Sequence, residues 1–216
     1  MRRQFTILAL LMMGFAVYGP EVRAQQVVDR MVARIDGDVL TWSEMRELAS
    51  FQQLMGEKPA SDPELIRQLV DQWMINTEAR AEQFSPPSEA VVNRAMEELE
   101  KQVGSPVEFR RRLTEVGLTL AAVWRLLEQQ MLTLQFLDRK FRGAAQVEPR
   151  QVETYYRDEL VPQMSARGQQ APPIESVQER IRELLVLREI SRLSARWLEE
   201  SRSNLRIEVL EAKSRP

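Results

Sequence analysis

Histidine and cysteine are both absent from this 216-residue chain, so its ionisable chemistry rests on 32 Asp and Glu and 30 Lys and Arg. It therefore lacks the side chains most used for general acid–base work near neutral pH, for thiol attack and for the commonest transition-metal sites. Carboxylates cluster at Glu97, Glu98 and Glu100 and again at Glu199 and Glu200, but among Lys and Arg at the spacing of solvated helix faces. The triplet Arg110-Arg111-Arg112 reads the same way. Neither a Gly-rich phosphate loop nor a Gly-x-Ser-x-Gly element occurs. No catalytic, metal-binding or cofactor-binding residue is assigned, and no cofactor is expected. Binding through apolar surface remains.

Methionines at 31, 45, 55, 74, 96, 131 and 164, with Trp42, Trp73, Trp124 and Trp197, are the side chains suited to such a surface. Flexible thioethers adapt to many sequences and indoles stack on aromatic groups, although most of these residues are expected in a core. The most apolar segment is a helix expected over Thr119 to about Phe141, ringed by Val123, Trp124, Leu126, Leu127, Met131, Leu132, Leu134, Phe136 and Leu137. A helix apolar on more than one face is central or lines a groove. From it, Trp124, Met131 and Phe136 are the candidate polypeptide-binding residues, with burial in the bundle as the competing account.

The elements that must position them follow from caps and turns. Met31, Ala33 and Ile35 alternate with Arg34 as a half-buried strand requires. Asp36-Gly37 supplies a two-residue hairpin turn, and Asp38 to Leu40 folds back. Thr41 with Glu44 is a capping box for a helix from about Trp42 to Met55. Further helices are expected from Asp62-Pro63 to about Phe84, from Ser88 to Val103, after Ser105-Pro106 up to Gly117, from Glu148 to Leu160, and from Ile174 to about Ser201. Leu205 to Leu210 alternates as a terminal strand with no neighbour in sequence. Its unpaired backbone groups predict pairing with the hairpin around Asp36-Gly37.

The run from Val27 to Met45 resembles the start of the mature N-terminal domain of SurA-like periplasmic chaperones and related parvulin-type isomerases. The match rests on Val28, Asp29, Asp36, Gly37, Asp38, Thr41, Ser43 and Glu44; Arg34 departs from it where an apolar residue is usual. The resemblance implies a mainly helical domain whose C-terminal helix and strand return to complete the N-terminal part. It implies unfolded envelope proteins as clients, above all outer-membrane β-barrel precursors, held without ATP. Parvulin modules sit between those two parts in the family, where this chain offers roughly a dozen residues against the ~90 such a module needs, and no histidine for its active site. An isomerase and a dedicated envelope adaptor are the alternatives.

Domain organisation reads accordingly. Residues 1–24 read as a secretory signal peptide, with Arg2 and Arg3 before an apolar run from Ile7 to Tyr18 and Val22-Arg23-Ala24 at the cleavage site. That run is shorter than the ~20 residues needed to span a bilayer, so export to the periplasm without stable insertion is expected. Residues 25–160 form the helical chaperone domain, 161–173 a linker in place of the parvulin module, and 174–216 the helix and strand that complete it. Removing residues 1–24 takes away Arg2, Arg3, Arg23 and Glu21 and leaves 27 cations against 31 carboxylates, a balance that gives no reason to expect nucleic acid. About 190 residues suffice for a core without disulfides.

Overall fold

A computed structural model describes residues 29–210; the expected signal peptide lies outside the described residues. The chain opens with a hairpin, β1 (Met31–Ile35) and β2 (Asp38–Thr41). Asp36 and Gly37 have φ of 47° and 104°, the two positive values that a two-residue turn matching strand twist requires. The C-terminal strand β3 (Ile207–Val209) pairs antiparallel with β1, so the sheet order is β2-β1-β3, as the unpaired backbone of Leu205 to Leu210 predicts. Arg34 lies opposite Glu208 in this register on the exposed face, 4.0 Å apart.

One face assignment is corrected. Met31 pairs with Thr41 while Ala33 pairs with Leu40, so β1 carries one extra residue at a bulge. The bulge breaks the period of two: Val32 turns into the core and Met31 is left 45% exposed.

Thr41 begins α1 (Trp42–Leu54) with the expected capping box, its N–H donating to Glu44 Oε2 at 2.7 Å and its hydroxyl accepting from the Glu44 N–H. Asp29 Oδ1 accepts from the Ser43 N–H at the same helix start. Burial there opposes ionisation, but hydrogen bonds from Ser43 and Thr41 outweigh it and hold the Asp29 carboxyl below its ordinary range. Helix α2 (Asp62–Ala81) starts one residue earlier than expected because Ser61, not Asp62, is the cap: the Ser61 N–H donates to Glu64 Oε2 at 3.0 Å. Next come α3 (Glu89–Val103) and α4 (Pro106–Val116), ended by Gly104 and Gly117. Thr119 caps α5 (Leu120–Phe141) by accepting from the Ala122 N–H at 3.1 Å.

The expected linker over 161–173 is corrected. After α6 (Pro149–Tyr155) the helix widens into one π turn, Tyr156–Leu160, and continues as α7 (Val161–Ala166). Pro162 cannot donate to a residue one turn back, and its ring would crowd that turn's carbonyl in a regular helix. The wider turn, closed by the Val161 N–H on the carbonyl of Tyr156, accommodates it. Only the residues from about 167 to 173 form the irregular connection to α8 (Ile174–Ser203), a helix of 30 residues and so roughly 45 Å long.

Three apolar clusters hold the main body. Val32, Ile35, Leu40 and Met45 pack with Leu65, Leu69 and Met74 between sheet, α1 and α2. Leu54, Val92, Phe109, Val123 and Leu127 join α1, α3, α4 and α5. Ile75, Ala79 and Phe136 join α2 to α5, with Trp197 of α8 against them. A fourth cluster, Val152, Val177 and Ile181, packs α6 on the first half of α8, so that one long helix serves two cores. Among the described residues no helix is long and apolar enough to cross a membrane.

Candidate functional site

Helices α1, α2 and α5 do not close completely on one another. Between them runs a cleft with two adjoining cavities of about 300 and 400 Å³, both lined by Leu48, Gln72, Leu126 and Gln129. Phe51 and Ile75 continue the apolar lining, and Met55 and Leu134, 41% and 56% exposed, stand at the open side of the larger cavity. The walls carry amides, Gln52, Gln68, Gln72, Gln129 and Gln130 with Asn76 beside them, and charged groups at Glu44, Glu47 and Arg125 in the smaller cavity and Glu57 and Asp71 in the larger.

Local helix geometry explains this lining. Gln68, Gln72 and Asn76 recur every four residues on α2, and Leu126, Gln130 and Leu134 do so on α5, so each set forms one stripe. Hydrogen bonds fix part of the amide wall: Gln52 Nε2 donates to Gln68 Oε1 at 3.0 Å, Gln52 Oε1 accepts from the Ala60 N–H at 2.8 Å, and Gln129 Nε2 donates to Asn76 Oδ1 at 2.7 Å. Each such amide keeps further donors or acceptors free. At the narrower end Arg125 pairs with Glu47 at 3.1 Å. An apolar floor between neutral amides can take up apolar side chains while meeting the backbone polar groups of an extended polypeptide.

The candidate residues on α5 do not line this cleft. Phe136 is corrected outright: it is 0% exposed, edge-on to Phe84 at 5.5 Å, and belongs to the core. Trp124 packs half-buried against the second cluster, its Nε1 donating to Asn93 Oδ1 at 3.1 Å. Met131 is half-buried and lines neither cavity. The helix is the expected one, but Leu126, Gln129, Gln130, Thr133 and Leu134 carry its open face. The other tryptophans are engaged too. Trp73 Nε1 donates to Asp38 Oδ2 at 2.8 Å, which ties α2 to the hairpin; Trp197 lies against Phe141; and exposed Trp42 is covered by the Arg46 guanidinium. The glutamines escape an apolar-period reading because they are polar, although the uncharged stripe Gln68, Gln72 and Asn76 on α2 signals an amide face.

Ion pairs brace the helices behind the cleft. Lys140 of α5 reaches Glu78 and Glu82 of α2, both at 2.8 Å, across the faces of Phe136 and Trp197. Burial lowers the affinity of Lys140 for its proton, but the two carboxylates more than offset this, so its pKa is raised; that of Glu82 is lowered by Lys140 and Arg139. Arg202 of α8 bonds Asp71 of α2 at 2.6 Å, with both side chains largely covered. Among the described residues no cluster of acidic side chains gathers as a metal site. No family model matches the chain, and no curated protein matches it.

Proposed function

We propose that this protein is an exported, ATP-independent holding chaperone that covers apolar segments of unfolded envelope polypeptides, with outer-membrane β-barrel precursors as its main clients. The observation that carries this reading is the open cleft of α1, α2 and α5. Half-buried Leu48, Phe51 and Leu126 line it between side-chain amides, with most of the charges at its rim held in ion pairs, Arg125 with Glu47 and Asp71 with Arg202. Apolar surface kept accessible in a cysteine-free, helix-rich domain costs stability unless another chain covers it. Neutral amides recognise backbone and not sequence, which suits many clients. The periplasmic address comes from the expected signal peptide over residues 1–24, and the class of client from the SurA resemblance of Val28 to Glu44.

Light scattering by an aggregating β-barrel precursor tests the proposal. The protein without residues 1–24 is expected to suppress it near one-to-one and without nucleotide, with micromolar affinity because a broad specificity leaves few fixed anchors. Leu126→Gln is expected to weaken protection while the melting transition stays cooperative. Unchanged scattering in several-fold excess of wild-type protein sinks the chaperone reading. Saturable binding to one envelope protein alone would make the chain a dedicated adaptor.

A further inference from the structure

A second apolar hollow lies on the other side of α5. Between α5 and α8, Leu134, Leu137, Leu187 and Ile190 enclose about 560 Å³ open to solvent, and Leu187 is 47% exposed. Its wall also holds Ser194, 5% exposed, whose hydroxyl has no hydrogen-bond partner among the described residues. Leu134 lines this hollow and the α1–α2–α5 cleft alike, so the two meet across one exposed side chain.

Charge narrows the occupant. In the larger cleft cavity Asp71 is paired with Arg202, and in the hollow Asp138 is paired with Arg142. The remaining charge lining either of them, Glu57, has no ion-pair partner among the described residues. In the smaller cavity Arg125 is paired with Glu47, and Glu44 adds a second carboxylate, so the combined surface is apolar and hydrogen-bonding with a weakly acidic balance.

Resting on the chaperone reading, we propose that the cleft and the α5–α8 hollow are two halves of one client site, filled together by a single extended segment crossing Leu134. That segment carries two apolar clusters and a lysine or arginine beyond the cluster nearer Glu57. A helix with side chains is ~10 Å across, and an extended chain advances ~3.3 Å per residue, so the clusters stand about three to four residues apart. Seating the second cluster is then intramolecular, which raises affinity by about tenfold or more over one cluster alone.

Fluorescence anisotropy with labelled synthetic peptides tests this. Gly-Ser-Thr peptides carry one Leu-Phe pair, or two pairs three residues apart, with lysine or glutamate at both ends. Wild-type protein is expected to bind the two-pair peptide at least about tenfold tighter than the one-pair peptide, and to prefer the lysine ends. Leu187→Glu should bring that ratio towards one, and Leu187→Gln, which adds no charge, should do the same if the first variant unfolds. Glu57→Gln should erase the preference for lysine ends. A ratio near one in the wild type, or a ratio unchanged in both Leu187 variants, overturns the two-part site while leaving the chaperone reading intact. Binding of neither peptide above a polar control overturns both. A dimer in sedimentation that Leu187→Gln dissociates would assign the hollow to a second copy of this chain, and overturns the proposal as well.

Discussion

Removing residues 205–216 is expected to cost the protein at least about 5 kcal/mol and to open the N-terminal hairpin, although the two ends of the chain lie far apart in sequence. Beyond the ladder that pairs Ala33, Arg34 and Ile35 with Val209, Glu208 and Ile207, three flanking hydrogen bonds disappear: Leu210 N–H to the Val32 carbonyl at 2.9 Å, Asp36 N–H to the Arg206 carbonyl at 3.3 Å, and Arg206 N–H to Asp36 Oδ1 at 3.2 Å. At about 1 kcal/mol net each, they account for roughly 3 kcal/mol. Leu205 and Ile207 are half-buried against the sheet core, and losing them costs about 1 kcal/mol each, half the value for a fully buried side chain. Against a total stability of about 5–15 kcal/mol this is a large share, equivalent to a fall in Tm of roughly 10–20 °C for a domain of this size. Calorimetry reads the fall, and hydrogen exchange at Met31 to Ile35 locates it. A Tm lowered by less than about 5 °C with unchanged protection of those amides would refute the coupling of the ends.

Three further outcomes are expected. Phe136→Ala should destabilise by about 3–5 kcal/mol in a denaturant titration, because it empties a sealed position; a cost under about 1 kcal/mol would mean that the position is solvated. Acid should weaken the protein modestly: Glu82 and Glu183 have lowered pKa values, held by Lys140 and Arg142 respectively, so their contribution is present above ~4.3 and lost as pH falls through the folded value, which a Tm series against pH reads. Lys140, raised, contributes below ~10.4 and is lost on strong alkalinisation; with no histidine in the chain, a step in Tm near pH 6.5 would contradict this account. Sub-stoichiometric protein should leave a prolyl-limited refolding phase at its uncatalysed tens to hundreds of seconds, and acceleration that survives repurification would promote the isomerase alternative.

Local chemistry was legible without coordinates. Thr41 with Glu44, Ser105, Thr119 and Gly117 mark helix ends through bonds within four residues, and Asp36-Gly37 sets its turn through its own backbone freedom. The pairing of β3 with β1 was also legible, since an unpaired strand has few places to go. The bulge at Met31, the π turn before Pro162 and the cap at Ser61 were not, because each is settled by competition between neighbouring groups that differ little in local preference.

The site depended most on tertiary structure. Periodicity showed that α5 is apolar nearly all round, but an apolar face looks the same whether a helix covers it or not. Packing of α2 and α8 seals Phe136, whereas the cleft between α1, α2 and α5 leaves Leu126 half-buried and Leu134 exposed. Amides from three helices, Gln52, Gln72 and Gln129, meet only because their stripes converge there. Sequence by itself therefore determined the elements, their caps and the joining of the chain's ends, all from short-range bonds and one unpaired strand. Tertiary structure alone decided which side of α5 faces solvent, because burial depends on what packs against a residue rather than on its own type.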